Sequence, residues 1–188
     1  MKKQILIWLA ATAILTSGNL FAHDDEISAA GSNIWNQAQE PTNWWGAIKQ
    51  VHGHVGPWNV LGWRMGKAAL RELGATWGQH QLDVICHIPL QTPYSCIADG
   101  LIVGTGNSLG RLDIHLSEVA TMNEIYVSAR QKAGSGPVLL LKPDQKYLEK
   151  ICDAPDSQLK PLAHECAKLP EKELFVIEKI PSKETSSK

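Results

Sequence analysis

Two histidines and a cysteine carry the most pointed chemistry in the chain. His52 and His54 flank Gly53 in the run Val51-His-Gly-His-Val-Gly-Pro57. An H-x-H pair can present two imidazoles to one ion when the backbone between them is extended or turned, and glycine makes such a turn easy. Cys96 follows Ser95, a favoured N-cap, so it is expected to open a helix. A thiol at a helix N-terminus has a lowered pKa, and the thiolate is the form that binds metal. Asp99, one turn further on, is spaced to orient a ligand from behind or to complement the helix dipole. Imidazole with thiolate suits zinc, copper or iron far better than calcium or magnesium. A plainer reading stands beside this one: loop histidines that bind nothing, and a cysteine that is buried or disulfide-bonded.

Other chemistries lack their signatures. Gly104-Thr-Gly-Asn-Ser-Leu-Gly110 looks like a phosphate-cradling loop but has no P-loop lysine. No G-x-S-x-G elbow and no H-E-x-x-H is present, and no C-x-x-C. Cys86-His87 has no cysteine three residues earlier, so it is not a c-type haem attachment site.

These residues need elements to position them. From Trp58 the pattern turns helical, with Leu61, Met65, Ala69 and Leu73 about one turn apart and Gly74 to end the run. Pro57 is a favoured first residue, so a helix is expected over 57–73. Gly62 and Gly66, one turn apart on it, leave a bare strip against which another backbone can pack. Residues 33–50 hold Ile34, Trp35, Trp44, Trp45 and Ile48 around Pro41 and predict two short helices. Strands are expected at 82–88, 112–116, within 123–130, at 138–141 and at 173–180, and helices from Ser95 to about Val103 and over 143–151. This order is α+β, with an antiparallel or mixed sheet packed against helices and no regular βαβ series.

The first residues read as a secretion signal. Lys2 and Lys3 precede the apolar run Ile5–Leu15, small and polar residues follow, and Ala22 is a plausible end. The expected organisation is a signal peptide over 1–22, one domain over 23–180 and a disordered tail over 181–188, in the periplasm or outside the cell. No later run approaches the roughly 18 apolar residues of a membrane span. Removing residues 1–22, which carry two lysines and no acid, takes the formal charge from −1 to −3. With no basic stripe, nucleic acid is excluded as a partner. In an oxidising compartment the four cysteines can pair in three ways. Cys152 and Cys166 bracket a polar stretch, Asp153 to Glu165, that reads as a loop closed by a disulfide. Cys86 and Cys96 can pair, or either can be a ligand.

Taken together, His52-Gly-His54-Val-Gly-Pro57, Gly62-x-Arg64, Cys96-x-x-Asp99-Gly and Thr105-Gly-x-Ser-x-Gly110 resemble the FmdE family of formylmethanofuran dehydrogenase proteins, over about residues 45–145. The resemblance implies an α+β homodimer with a metal, zinc first, near the histidine-cysteine motif. It carries His52, His54 and Cys96 over as metal ligands, with Asp99 in support and Arg64 as an anion contact. Two family cysteines are replaced, by Gly56 and Asn107. The implied function is binding of a transition metal or a small metal-containing ligand. Two alternatives stay open: a metal-dependent enzyme, and a metal-free interaction protein stapled by disulfides.

Overall fold

The computed structural model describes residues 39–181. In chain order, Trp44–His52 form α1, Pro57–Leu73 α2, Leu82–Ile88 β1, Cys96–Thr105 α3, Ile114–Glu118 β2, Tyr126–Gln131 β3, Val138–Pro143 β4, Gln145–Cys152 α4, Asp156–Lys168 α5 and Phe175–Ile180 β5. The strands make one sheet in the order β2-β1-β3-β4-β5. β1 and β2 run parallel and the other neighbours antiparallel. The fold is therefore α+β with a mixed sheet. The expected signal peptide, the first of the two helices in 33–50 and nearly all of the expected tail lie outside the described residues.

α2 begins where its chemistry says it should. Pro57 has no N–H to leave unpaired, and the Asn59 side chain accepts the Gly56 N–H at 3.0 Å. Gly74 ends the helix in the left-handed region, φ +63°, with its N–H returned to the last turn. The bare strip on α2 is filled by α3, which carries a matching pair of glycines. A Cβ at Gly62 would lie 2.0 Å from the Ile97 carbonyl oxygen, and one at Gly100 1.9 Å from that of Asn59. Further along, a Cβ at Gly104 would lie 2.6 Å from the Trp63 carbonyl oxygen. The two helices thus touch backbone to backbone, at a distance only glycine permits.

β1 alternates strictly: Leu82, Val84, Cys86 and Ile88 are buried in the core shared with α2, while Asp83, Ile85 and His87 are half-buried on the other face. β2 begins two residues later than the spacing predicts, because Leu112 sits in a left-handed turn at φ +54° and is exposed.

The stretch between Cys152 and Cys166 corrects the expectation of a disulfide-closed loop. It is mostly the helix α5, and all four cysteines are free thiols, so neither Cys152–Cys166 nor Cys86–Cys96 is a disulfide. Leu159, Leu162, Ala163 and Cys166 recur at helical spacing, and the last three are buried. Pro161 lies inside this helix and costs it the bond to the Ser157 carbonyl. Ser157 is exposed, so water can take that bond.

Candidate metal and ligand site

His52 is the last residue of α1, and Gly53 caps the helix at φ +91°. That left-handed turn, open to glycine at little cost, brings the two imidazoles together with ring centroids 4.6 Å apart and planes at 52°. The glycine contact between α2 and α3 carries the first turn of α3 to the same place. There Asp99 Oδ2 lies 2.7 Å from His52 Nδ1. A carboxylate only accepts, so Nδ1 carries the proton and neutral His52 keeps its lone pair on Nε2. This is how a metal-ligating histidine is commonly oriented from behind. His52 is largely covered, with 14% of its side chain exposed, whereas His54 is open to solvent.

Cys96 is the first residue of α3, as its position after Ser95 implied, although the Ser95 side chain makes no cap bond. Its thiol departs from expectation. Burial pushes its pKa up, and the nearby Asp99 carboxylate pushes it the same way, against the smaller favourable pull of a backbone hydrogen bond. Among the described residues, no group of three or more His, Cys, Asp or Glu side chains converges as metal ligands would. The residues present therefore do not fit a closed four-ligand site. Two neighbouring imidazoles also fall short of the three protein ligands of an open catalytic zinc site.

The structure places Arg64 on α2, with Nη1 donating toward the carbonyl oxygens of Cys166, Ala167 and Leu169 at 3.0–3.1 Å. It braces the C-terminal end of α5. The two positions where the family cysteine is replaced differ in kind. A Cβ at Gly56 would lie 3.6 Å from His54 Nε2, next to the histidine pair. Asn107 instead is buried and donates to the carbonyl oxygens of Leu82 and Asp113 at 2.9 and 3.0 Å, pinning the glycine-rich turn to the sheet.

The structure brings three further features together. One is a second histidine–carboxylate pair, His80 Nδ1 and Asp113 Oδ2 at 2.8 Å, with Asp113 fully buried and also accepting the Ser108 N–H at 2.7 Å. Another is a pocket of about 360 Å³ beside His54, lined by Trp45, Lys49, Val55, Asp156, Leu159 and Lys160. The third is a cleft of about 470 Å³ between Pro89–Gln91 and Glu118–Ala120, with no histidine or thiol in its lining. The histidine–carboxylate pair and the cleft join segments far apart in the chain, so spacing carried no signal for them, whereas the tryptophans clustered around the histidine pair, Trp45 among them, pointed to an apolar pocket there.

A family model described as "FmdE, Molybdenum formylmethanofuran dehydrogenase operon" matches residues 51–176, well over half of the chain. The match opens one residue before His52 and spans Cys96 and Asp99. No curated protein matches the chain.

Proposed function

The chain belongs to the FmdE family, and from that premise we propose that it binds a transition metal, zinc first, or a small metal-containing ligand through His52 and His54. One observation carries the reading: His52 is held by Asp99 at 2.7 Å with the His54 ring 4.6 Å away. Two imidazoles leave the remaining coordination positions to water or to a ligand that arrives with the metal. Cys96 stands apart from this pair, since no third His, Cys, Asp or Glu converges with it among the described residues, and burial with the Asp99 carboxylate raises the pKa of its thiol as well. Asp99 acts through His52, fixing its tautomer and the direction of its lone pair.

Export and pairing belong to the same proposal. The lysine pair followed by Ile5–Leu15 supports a cleaved leader and a periplasmic or secreted domain, and the family resemblance supports a homodimer. The mass of the mature chain from an exporting cell tests the first, and light scattering on the purified domain tests the second. No helix among the described residues is long and apolar enough to cross a membrane.

The metal reading is tested by elemental mass spectrometry on untagged protein, beside His54→Ala and His52→Ala. Near-stoichiometric metal that falls in both variants supports it. A wild type that holds no metal even after reconstitution under reducing conditions overturns it.

A further inference from the structure

We propose that two copies of this chain pair along the outer edge of β2, antiparallel about a two-fold axis, so that Leu112 of each copy enters the cleft of the other between Pro89–Gln91 and Glu118–Ala120. The proposal gives the expected homodimer an interface and rests on that expectation, not on the metal reading.

The edge itself is the first observation. β2 bounds the sheet on one side, and among the described residues no strand pairs with its outer side. Such an edge presents unpaired N–H and C=O groups, and proteins commonly guard it with lysine or proline. The opposite edge, β5, is guarded in this way. Pro181 follows it, and its Glu178 and Lys179 pair with Lys142 and Glu72. β2 reads Ile-His-Leu-Ser-Glu, with neither lysine nor proline. Leu116 lies on the core face, in register with buried Cys86, and is nevertheless exposed.

Shape and charge single out a second copy as the occupant. Just before β2, Leu112 stands 74% exposed on a left-handed backbone, φ +54°, that side chains rarely adopt. Exposed Leu109 opens the short 3₁₀ turn that leads into it. The far end of the same strand gives onto the cleft of about 470 Å³, where Leu90 is exposed in turn. Knob and hollow thus sit at opposite ends of one strand. Antiparallel pairing of two copies brings each knob to the other's hollow, and the two-fold axis makes the fit twice. The ions follow the same arrangement. Arg111 and Glu118 lie at the two ends, both exposed and neither with an ion-pair partner among the described residues. Antiparallel pairing sets Arg111 of each copy against Glu118 of the other, whereas parallel pairing would set like against like. With the two sheets continuous, Leu116 of each copy is covered by the other.

Sedimentation velocity over a concentration series tests this on the untagged mature chain. The variants are Leu112→Glu, Arg111→Glu and the charge swap Arg111→Glu with Glu118→Arg. All three positions are exposed, so the core is spared, and circular dichroism confirms that each variant is folded. The expected result is a wild-type dimer whose dissociation constant rises at least about tenfold in Leu112→Glu and in Arg111→Glu and returns toward wild type in the swap. A wild-type dimer that Leu112→Glu does not weaken overturns the β2 interface and leaves the homodimer expectation standing. Absence of weakening in Arg111→Glu, or of recovery in the swap, overturns the antiparallel arrangement. A wild type that is monomeric at every concentration overturns both interface and homodimer, and leaves the edge to an extended segment of another protein. The metal reading is untouched by any of these results.

Discussion

The carboxylate of Asp99 sits 2.7 Å from His52 Nδ1, across an interval of 47 residues. By accepting from Nδ1 it leaves the lone pair of neutral His52 on Nε2. Asp99→Asn keeps the shape and removes the charge. Metal affinity is expected to fall by about ten- to a hundredfold with the fold retained, the usual cost of losing such a partner. Calorimetric titration with zinc measures it, and an unchanged affinity would show that Asp99 serves only the helix.

Gly56 lies beside the pair and can accept a side chain. Its backbone is extended, with φ −126° and ψ 173°, and an added Cβ meets nothing closer than His54 Nε2 at 3.6 Å. Gly56→Cys is therefore expected to fold and to add a thiolate donor. Zinc affinity should rise by roughly tenfold or more, and the thiolate-to-cobalt charge-transfer band should appear on cobalt(II) substitution. Absence of that band, with cobalt bound, would place the metal away from Gly56.

Gly62 and Gly100 face backbone carbonyls across the α2–α3 contact. Replacing either by alanine forces the helices apart, at an expected cost of about 3 kcal/mol, the upper end of the range for overpacking. Thermal melts should show a clear loss of Tm in both variants. Gly110→Ala, whose added Cβ meets nothing, is the control expected to stay within about 0.5 kcal/mol of wild type.

Arg64 donates to the C-terminal carbonyls of α5, a role that is structural on these contacts. Arg64→Leu leaves those carbonyls without a charged donor and is expected to cost about 1.5–3 kcal/mol. Metal affinity measured on the folded fraction should be unchanged. A selective loss of affinity would return Arg64 to the ligand site.

Burial pushes the Cys86 thiol up to about 12, from the ordinary thiol value near 8.5. The unfolded chain then releases this proton at lower pH than the folded one. The contribution is fully present below about pH 8.5 and is lost as pH rises toward 12, by about 1.4 kcal/mol per unit. Denaturant unfolding at pH 8, 9 and 10 should show wild type losing stability faster than Cys86→Ala. Parallel slopes would mean that Cys86 reaches solvent.

The same physics separates what the sequence carried from what it withheld. Local signals were legible: Pro57 and Gly74 bounded α2, Ser95 preceded α3, and the order of elements marked an α+β chain. Gly62 and Gly66 announced a close neighbour because a missing Cβ is a local fact with one main use. The histidine pair and Gly53 were likewise adjacent in the chain, and the positive φ at Gly53 brings them together. The polar stretch after Cys152 misled because its charged residues and Pro161 masked the helical spacing of Leu159, Leu162 and Cys166. By itself, then, the sequence determined the family and the fold class, and it put the two imidazoles two residues apart. Only the tertiary structure decided that Asp99 holds His52, that Arg64 braces α5, that the thiols stay unpaired and that Lys49 and Lys160 face one pocket. Those relations join residues tens of positions apart, and they exist because α2 and α3 meet backbone to backbone and because α5 packs back onto α2.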